Sequence, residues 1–555
     1  MSHPLPGAHL HGLEADPKRG QEIDQQSPGE RAPAESTQQT QRRRIGLIVG
    51  LVLAILMYVV LPDDLSHPGK LTAAAAVLMG AWWMTEAIPI PATALLPLII
   101  FPAIGRHTSV SEVGASYGAD IIFLFMGGFL IALAMQRWNL HRRIALLTVR
   151  VMGTKATHVI AGFMIATAFL SMWVSNTATA VMMLPIGVSV LMLVADRSSI
   201  ATPAGTALRA DDADDAHDTY DAHDAEPPTA GDAAGTPSTH HAIMRTKFGT
   251  ALMLGIAYSA SLGSLATIIG TPPNTLLVGY LRENQGIDIG FGQWMMVGLP
   301  LAVAFTAIAW FVLTKVLFKP EITEIPGGRE LMDAELAKLG PVSRGEWRVL
   351  AVFVAAAAAW VALPLLLSKP PVSDAGIAII AGVLLFLIPA GARRGVRLLD
   401  WDTAVALPWG VLLLFGGGLA LSSQFTKSGL TKWIGAHVAS WTGLATVVLI
   451  IAFTAGIVFL TELTSNTATA ATFLPIAGGV AVGLDAHPIL LTVPVALAAT
   501  CAFMLPVATP PNAIAYGSGY VTAGQMIRGG LWLNVVAIVL IPLVTLTLLT
   551  WVFQL

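Results

Sequence analysis

Residues 171–186 have the sequence SMWVSNTATAVMMLPI, and residues 461–476 have the sequence TELTSNTATAATFLPI. Both contain Ser-Asn-Thr-Ala-Thr-Ala inside an apolar run, the first at 158–195 and the second at 442–483. A membrane-spanning helix needs about 20 apolar residues, so each run is long enough to cross twice or to enter and return. The polar tripeptide in the middle predicts a turn, because Asn and Ser favour helix caps over helix interiors.

Two further motifs repeat around this pair. Gly127-Gly128 is matched by Gly416-Gly417, and Gly-Thr-Pro-Pro-Asn at 270–274 is matched by Ala-Thr-Pro-Pro-Asn at 508–512. The Ser-Asn-Thr and glycine pairs are offset by 290 and 289 residues, but the third pair is offset by 238. An acidic insertion at 196–246, present in the first half alone, explains the difference. With an odd number of crossings between the copies, the two halves are predicted to be inverted repeats.

The composition places this repeat in a membrane. Of the 555 residues, 55% are apolar and 12% are charged, whereas soluble proteins carry about 25% charged residues. A soluble enzyme is excluded, and the net charge of -3 gives no indication of a nucleic-acid partner. The single cysteine, Cys501, excludes a disulfide framework. We predict an all-α polytopic membrane protein, an inverted-repeat secondary transporter with about 11 transmembrane helices and two re-entrant hairpins.

The positions of lysine and arginine predict the topology, because these residues concentrate in cytoplasmic loops. With the N-terminus inside and both long runs re-entrant, 22 of the 31 Lys and Arg residues are cytoplasmic. Six fall outside and three lie in the distal N-terminal tail. This distribution predicts a multi-pass protein of the cell membrane with a cytoplasmic N-terminus and an external C-terminus. Two spans and a hairpin return to the same side, so re-entrance itself stays open.

Two polar segments lie outside the predicted helices. Residues 1–44 have no apolar core of a signal peptide and are predicted to be a disordered cytoplasmic tail. The insertion at 196–246 alternates aspartates with four histidines. It is either a metal- or pH-responsive loop or a solvated, disordered insertion. The second interpretation is favoured because the segment has almost nothing to bury.

The repeated motifs carry the chemistry expected of an ion and anion site. Pro272-Pro273 and Pro510-Pro511 predict breaks in their helices. Broken backbone at membrane depth is tolerated where it is buried in protein or lines a polar cavity. The freed carbonyl and hydroxyl oxygens suit Na⁺, and half-helix N-termini suit an anion. Polar residues that merely join helices are the simpler explanation, but duplication of two different motifs argues against it.

On these motifs the sequence resembles the divalent anion/sodium symporter family, which carries dicarboxylates, citrate or sulfate. The resemblance runs from about residue 45 to 555 and includes Trp82-Trp83-Met84-Thr85-Glu86-Ala87-Ile88-Pro89-Ile90-Pro91. It implies a homodimer in which a transport part slides like an elevator against a scaffold. It also implies Na⁺ as coupling ion, with no organic cofactor and no enzymatic activity.

The resemblance implies two sodium sites with the substrate between them. The sodium ligands match Ser171, Ser175, Asn176 and Gly270 in the first site, and Thr461, Ser465, Asn466 and Ala508 in the second. The glycine and alanine would ligate through backbone carbonyls. The substrate-binding residues match Asn176, Thr177, Thr271 and Pro272 on one side, and Asn466, Thr467, Thr509 and Pro510 on the other.

The same resemblance implies a division of the chain. Scaffold helices are expected at 45–118 and 292–400. The transport part is expected at 119–291, with the first hairpin and the acidic insertion, and at 401–530, with the second hairpin. A last transmembrane helix is expected at 531–555.

The predicted function is sodium-coupled symport of a divalent anion, with a C4 dicarboxylate such as succinate, malate or fumarate as first choice. A sodium-independent dicarboxylate exchanger and a sulfate/sodium symporter are the alternatives. A membrane-embedded hydrolase using Ser175 or Ser465 is disfavoured, since neither motif contains a His or Asp. A sensor without transport would retain the same motifs. The roles of two carboxylates, Glu86 and Glu462, stay open, and Glu462 is predicted to point away from its neighbouring sodium site.

Overall fold

The computed structural model describes residues 36–105, 108–200, 246–325, 328–367, 370–439 and 446–555. Within these ranges helices are the only regular structure, apart from isolated bridges that join Lys155 to Glu324 and Pro389 to Arg397. The prediction of an all-α architecture is therefore confirmed.

Eleven helices, some of them including short 3₁₀ or π-helical turns, lie between Thr37 and Leu339 in the described residues. They are α1 Thr37–Val60, α2 His67–Thr85, α3 Ile90–Gly105, α4 Val110–Arg137, α5 Leu140–Val151, α6 Ala156–Ser171, α7 Asn176–Ile200, α8 Lys247–Ser264, α9 Pro272–Gln285, α10 Phe291–Leu317 and α11 Gly328–Leu339.

The described helices that follow are α12 Arg344–Leu366, α13 Asp374–Leu387, α14 Trp409–Lys427, α15 Leu430–Ala439, α16 Thr446–Thr461, α17 Asn466–Gly483, α18 Ile489–Ala499, α19 Pro510–Gly517 and α20 Ala523–Phe553, with a short turn at Trp401–Ala404 before α14. Among them, α14 to α20 repeat the order of α4 to α10. Thus α6 and α7 correspond to α16 and α17, and α8 and α9 correspond to α18 and α19.

Seven described helices are long and apolar enough to span a membrane alone, and the chain is a polytopic membrane protein. They are α1, α4, the Asn176–Val194 part of α7, α10, α12, α14 and α20. Shorter apolar helices include α6, α13, α16 and α18, so the two helices that lead into the Ser-Asn-Thr motifs, α6 and α16, are shorter than a full span.

Burial separates central from peripheral helices. In α8 every residue from Phe248 to Ser264 is buried, and in α18 every residue except Leu490 is buried. In α1, by contrast, only 17% of the spanning window is buried, and apolar residues such as Ile48 and Ile55 face outward. Apolar side chains that face outward are suited to lipid, since a bilayer does not penalise their exposure. The two helices that lead into the Thr-Pro-Pro-Asn motifs therefore lie at the centre of the bundle.

Three predicted boundaries differ from the structure. Helix α1 begins at Thr37, so residues 37–44 of the predicted disordered tail are helical. Ser36 caps this helix by accepting from the Gln39 amide. Helix α7 continues to Ile200, which shortens the predicted acidic loop, and residues 201–245 lie outside the described residues. Helix α20 begins at Ala523 rather than 531, because Thr522 and Gln525 form a capping box.

Candidate functional site

The first Ser-Asn-Thr motif forms a compact group of three oxygen atoms. Helix α6 ends at Ser171 and α7 begins at Asn176, so Ser175 lies in the short gap between the two helices, and Asn176 and Thr177 begin α7. The buried Ser171 Oγ is 3.0 Å from Asn176 Oδ1 and 2.5 Å from the carbonyl oxygen of Ala260 on α8. One hydroxyl thus lies between a side-chain and a backbone acceptor. We call these three atoms the first oxygen cluster.

The second motif repeats this geometry with different residues. The buried Thr461 Oγ1 is 2.8 Å from Asn466 Oδ1 and 2.9 Å from the carbonyl oxygen of Ala499 on α18. Thr461 ends α16 and Asn466 begins α17, as Ser171 and Asn176 do in the first half. We call these atoms the second oxygen cluster. The two clusters are the site's central observation, because the same contacts arise in both copies of the motif.

The predicted sodium ligands Gly270 and Ala508 lie in the loops that follow Ala260 and Ala499. Gly270 lies close to α8, and an added Cβ would be 2.3 Å from the Ser264 carbonyl oxygen. Only glycine therefore fits there without displacing backbone. The structure joins Ser171 with Asn176 and Thr461 with Asn466 by direct contact. Ser175 instead accepts a hydrogen bond from the Ala178 amide, as a helix cap does.

The predicted substrate residues surround the starts of the half-helices. Thr271 and Thr509 are the N-caps of α9 and α19, and each is followed by proline in the first helical position. Proline suits that position because its missing N–H would have no helical partner. The predicted breaks are confirmed. Exposure differs between the halves. Thr177 and Pro510 are exposed, Thr271 and Thr509 are buried, and Asn176, Pro272, Asn466 and Thr467 are half-buried.

Two buried asparagines of the Thr-Pro-Pro-Asn motifs hold the broken backbone. Asn274 Nδ2 donates to the carbonyl of Thr267 at 2.9 Å and also contacts those of Ser264 and Leu265. Asn512 Nδ2 donates to the carbonyls of Ala502 and Leu505 at 3.2 and 3.1 Å. Sequence reasoning quoted both asparagines in their motifs but gave them no role. Each asparagine directly follows Thr-Pro-Pro in its copy, and this repetition was the sequence signal that could have identified them.

The donor set fits a hard cation. Hydroxyl, amide and carbonyl oxygens are the ligands that Na⁺, like other hard cations, accepts. The amide oxygens of Asn274 and Asn512 are also buried without a hydrogen-bond partner among the described residues. An unpaired buried acceptor is costly, and water or a cation would satisfy it. The Ala260 and Ala499 carbonyls were missed by sequence reasoning, since a backbone oxygen carries no residue signature.

The two carboxylates left open by the sequence lie in different settings. Glu86 is exposed at the C-terminal end of α2, where it adopts a left-handed conformation with φ of 51°. Glu462 is only 4% exposed. Its carboxylate accepts from the backbone amides of Phe503, Met504 and Leu505. Glu462 therefore holds the broken segment after α18.

A helical membrane protein with two copies of a broken-helix oxygen site belongs to the class of secondary transporters. The family model described as the sodium:sulfate symporter transmembrane region matches residues 41–555, so the chain belongs to this family of divalent anion/sodium symporters.

Curated relatives cover nearly the whole chain. The sodium-dependent dicarboxylate transporter SdcS of Staphylococcus saprophyticus is 40% identical over 510 residues, which is 90% of this chain and 91% of its own. SdcS of Staphylococcus aureus strain USA300 is 40% identical over 506 residues, 90% of each chain. Among solved structures, the Alcanivorax borkumensis YdaH transporter has a TM-score of 0.49 and 12% identity, covering 87% of this chain and 98% of its own.

Proposed function

We propose that this protein is a sodium-coupled symporter of a divalent anion, with a C4 dicarboxylate such as succinate as substrate. The observation that carries the proposal is the pair of oxygen clusters, in which Ser171 and Thr461 each bridge a motif asparagine and a central helix. Two matched cation sites flanking one anion site suit coupled transport. The two SdcS relatives, named as sodium-dependent dicarboxylate transporters, support the same substrate class.

The residues would act in a definite order. A cation at each cluster turns the shared hydroxyl so that its oxygen, not its hydrogen, faces the ion. This fixes Asn176 and Asn466, the first residues of α7 and α17. The free amides at these helix starts, together with Thr177 and Thr467, then donate to the dianion. Bound cations also offset the charge of the dianion, whose transfer through low dielectric is otherwise costly.

The choice of substrate follows from the neutral donors. No lysine or arginine contacts the motif residues in any hydrogen bond or ion pair of the described ranges. Hydroxyl and amide donors suit a carboxylate, and they also suit sulfate, which the family description names. A dicarboxylate is preferred on the names of the relatives, and sulfate is the second candidate.

The wider architecture is part of the proposal. We propose a homodimer with a cytoplasmic N-terminus, in which 119–291 and 401–530 move like an elevator against 45–118 and 292–400. The helices α8 and α18, which lead into the Thr-Pro-Pro-Asn motifs, are buried along nearly their whole length. Together with their broken continuations they would move as one body. Sodium ions at Ser171, Ser175, Asn176 and Gly270, and at Thr461, Ser465, Asn466 and Ala508, would accompany the substrate.

Uptake into proteoliposomes tests the function. We expect radiolabelled succinate to accumulate with an inward Na⁺ gradient and not with an equal K⁺ gradient. Uptake that needs internal succinate but not Na⁺ would identify an exchanger and overturn the sodium sites. Sodium-driven uptake of sulfate in place of succinate would move the substrate assignment to the second candidate.

A further inference from the structure

The loops that follow α8 and α18 differ although their motifs match. Helix α8 continues to Ser264, whose counterpart at the offset of 238 is Ala502, but α18 ends three residues earlier, at Ala499. In the first half, the Leu265 and Ala266 amides continue the helix by donating to carbonyls three residues back. The second copy lacks this helical turn after Ala499. The amides at the corresponding positions need other partners, because unpaired buried N–H groups are costly.

Glu462 supplies those partners. Its Oε1 accepts from Phe503 N at 2.7 Å and Met504 N at 2.9 Å, and its Oε2 accepts from Met504 N at 3.0 Å and Leu505 N at 3.1 Å. Three successive backbone amides that point at one anion form a tight, charge-assisted cradle. The carboxylate thus replaces the helical turn that the first half retains.

The same carboxylate connects three elements of the second half. Glu462 directly follows Thr461 of the second oxygen cluster, and it holds the loop that leads to Ala508 and Thr509. Its Oε1 also accepts from Asn534 Nδ2 of α20 at 2.9 Å. Glu462 therefore links the second oxygen cluster, the loop after α18 and helix α20.

The first half has no such carboxylate at the matching place. The counterpart of Glu462 at the offset of 290 is Met172. Its backbone oxygen accepts from Thr267 Oγ1 at 2.5 Å, so a neutral hydroxyl connects hairpin and loop there. No Lys or Arg pairs with Glu462 in the described ranges, and its formal charge is balanced only by backbone and amide dipoles.

We propose that Glu462 is a positioning residue for the second cation site, which it serves by holding the 503–505 backbone and by placing a fixed negative charge beside that site. The proposal rests on the proposed sodium coupling. Its geometric part follows from the three amide bonds, and its electrostatic part follows because a nearby carboxylate favours a cation in a low-dielectric interior. The asymmetry predicts that the second site depends on a charge that the first site lacks.

Glu462→Gln and Glu462→Asp test this role in the purified full-length protein in detergent. The readouts are the rise in melting temperature produced by Na⁺ relative to choline, and the Na⁺ concentration for half-maximal succinate uptake. Glu462→Gln turns an amide NH₂ toward backbone donors and removes the charge. We expect its half-maximal Na⁺ concentration to rise about tenfold or more, with a smaller change in succinate KM at saturating Na⁺. Glu462→Asp should recover part of the Na⁺ response.

Asn534→Ala is the second variant, because it removes one contact and leaves the charge in place. We expect a smaller rise in half-maximal Na⁺ concentration than for Glu462→Gln, and this variant decides the matter if the glutamine variant does not fold. Met172→Leu is the matched control in the first half and should respond to Na⁺ like wild type. A folded Glu462→Gln, or failing that Asn534→Ala, with wild-type Na⁺ affinity overturns the positioning role. A wild type that transports without Na⁺ overturns the proposed function instead.

Discussion

At the scale of single residues, the two oxygen clusters have the same geometry but different hydroxyl side chains. Serine fills the hydroxyl position in the first half and threonine in the second, yet their distances to the motif asparagine differ by only 0.2 Å, from 3.0 to 2.8 Å. Each hydroxyl is shared with a carbonyl of a buried helix. Removing the hydroxyl or the amide oxygen should therefore lower the affinity of a cluster for a cation.

Replacing either motif asparagine tests this directly. Asn176→Ala and Asn466→Ala each remove one oxygen from a cluster and one side chain from the start of a half-helix. We expect the half-maximal Na⁺ concentration for uptake to rise about tenfold, since a hydrogen bond to a charged group is worth about 1.5–3 kcal/mol. Affinity for succinate should fall with it, because the same residues meet the anion.

Ser189→Ala is the control for this pair. Ser189 lies on α7 with Asn176, and its hydroxyl donates to the Pro185 carbonyl of its own helix at 3.0 Å. Its loss should leave the Na⁺ dependence unchanged. Wild-type uptake kinetics in Asn176→Ala or Asn466→Ala would mean that the clusters do not bind the coupling ion.

At the scale of helices and hairpins, the two copies of the repeat are packed unequally. Trp173 in the first hairpin tip stacks on Phe291 and Trp360 at centroid distances of 6.1 and 6.4 Å, and meets Phe353 edge-on at 4.9 Å. Its counterpart in the second tip is Leu463, which is 67% exposed. Val507, in the loop between α18 and α19, is 85% exposed. The first tip is thus covered by α10 and α12, whereas the second tip is open.

This inequality predicts different costs for matched substitutions. Trp173→Ala should lower the free energy of unfolding by about 2–4 kcal/mol, because it removes a large packed ring and three aromatic contacts. Leu463→Ala should change it by less than about 0.5 kcal/mol, as exposed positions do. Denaturation of the purified protein in detergent measures both. Equal losses in the two variants would show that the tips are packed alike in the working protein.

Two arginines of helix α5 form ion pairs that differ in burial. Arg143 Nε is 2.6 Å from Glu346 Oε1, and both side chains are largely buried, whereas Arg150 and Asp333, 2.7 Å apart, are both 46% exposed. Removing one member of a buried pair leaves an unpaired charge, which costs about 3–5 kcal/mol, while an exposed pair is worth at most about 1 kcal/mol.

Arg143→Leu should therefore destabilise the protein by several-fold more than Arg150→Leu. Thermal denaturation at low and at 1 M salt provides the measurement, since screening should weaken the exposed pair and hardly affect the buried one. The double variant Arg143→Leu with Glu346→Leu should recover much of the loss. No recovery would place the cost of the single change in packing and not in charge.

At the scale of the whole molecule, sequence patterns predicted the repeat and its helix breaks, but not the tertiary contacts within each copy. The duplicated Ser-Asn-Thr and Thr-Pro-Pro-Asn motifs predicted the helix breaks, because proline and cap-forming side chains act locally. The contribution of Ala260 and Ala499 was beyond such reasoning, since any residue offers a carbonyl. The cradle of Glu462 depends on a helix ending at Ala499, and the burial of Trp173 depends on distant helices. Both are consequences of tertiary packing.

The predicted topology also belongs to this scale. An odd number of crossings with a cytoplasmic N-terminus places Leu555 outside, on the basis of the distribution of Lys and Arg. An epitope fused after Leu555 should be accessible to antibody in intact cells, and one fused before Met1 should require permeabilisation. Accessibility of both epitopes in intact cells, or of neither, would require an even number of crossings.

The repeated oxygen clusters finally predict how transport depends on Na⁺. The two cation sites that we propose are coupled through the substrate, so uptake should depend on Na⁺ with a Hill coefficient that approaches about 2, the number of sites. Ser171→Ala and Thr461→Val each remove the central hydroxyl of one cluster only. Each should lower the coefficient toward about 1 while leaving residual uptake, and the double variant should abolish the Na⁺ response. Equal effects of the two single variants would assign equal weight to the halves. A Hill coefficient of 1 in the wild type would mean that one of the clusters binds no coupling ion. The single variant whose Na⁺ dependence equals that of the wild type would then identify that cluster.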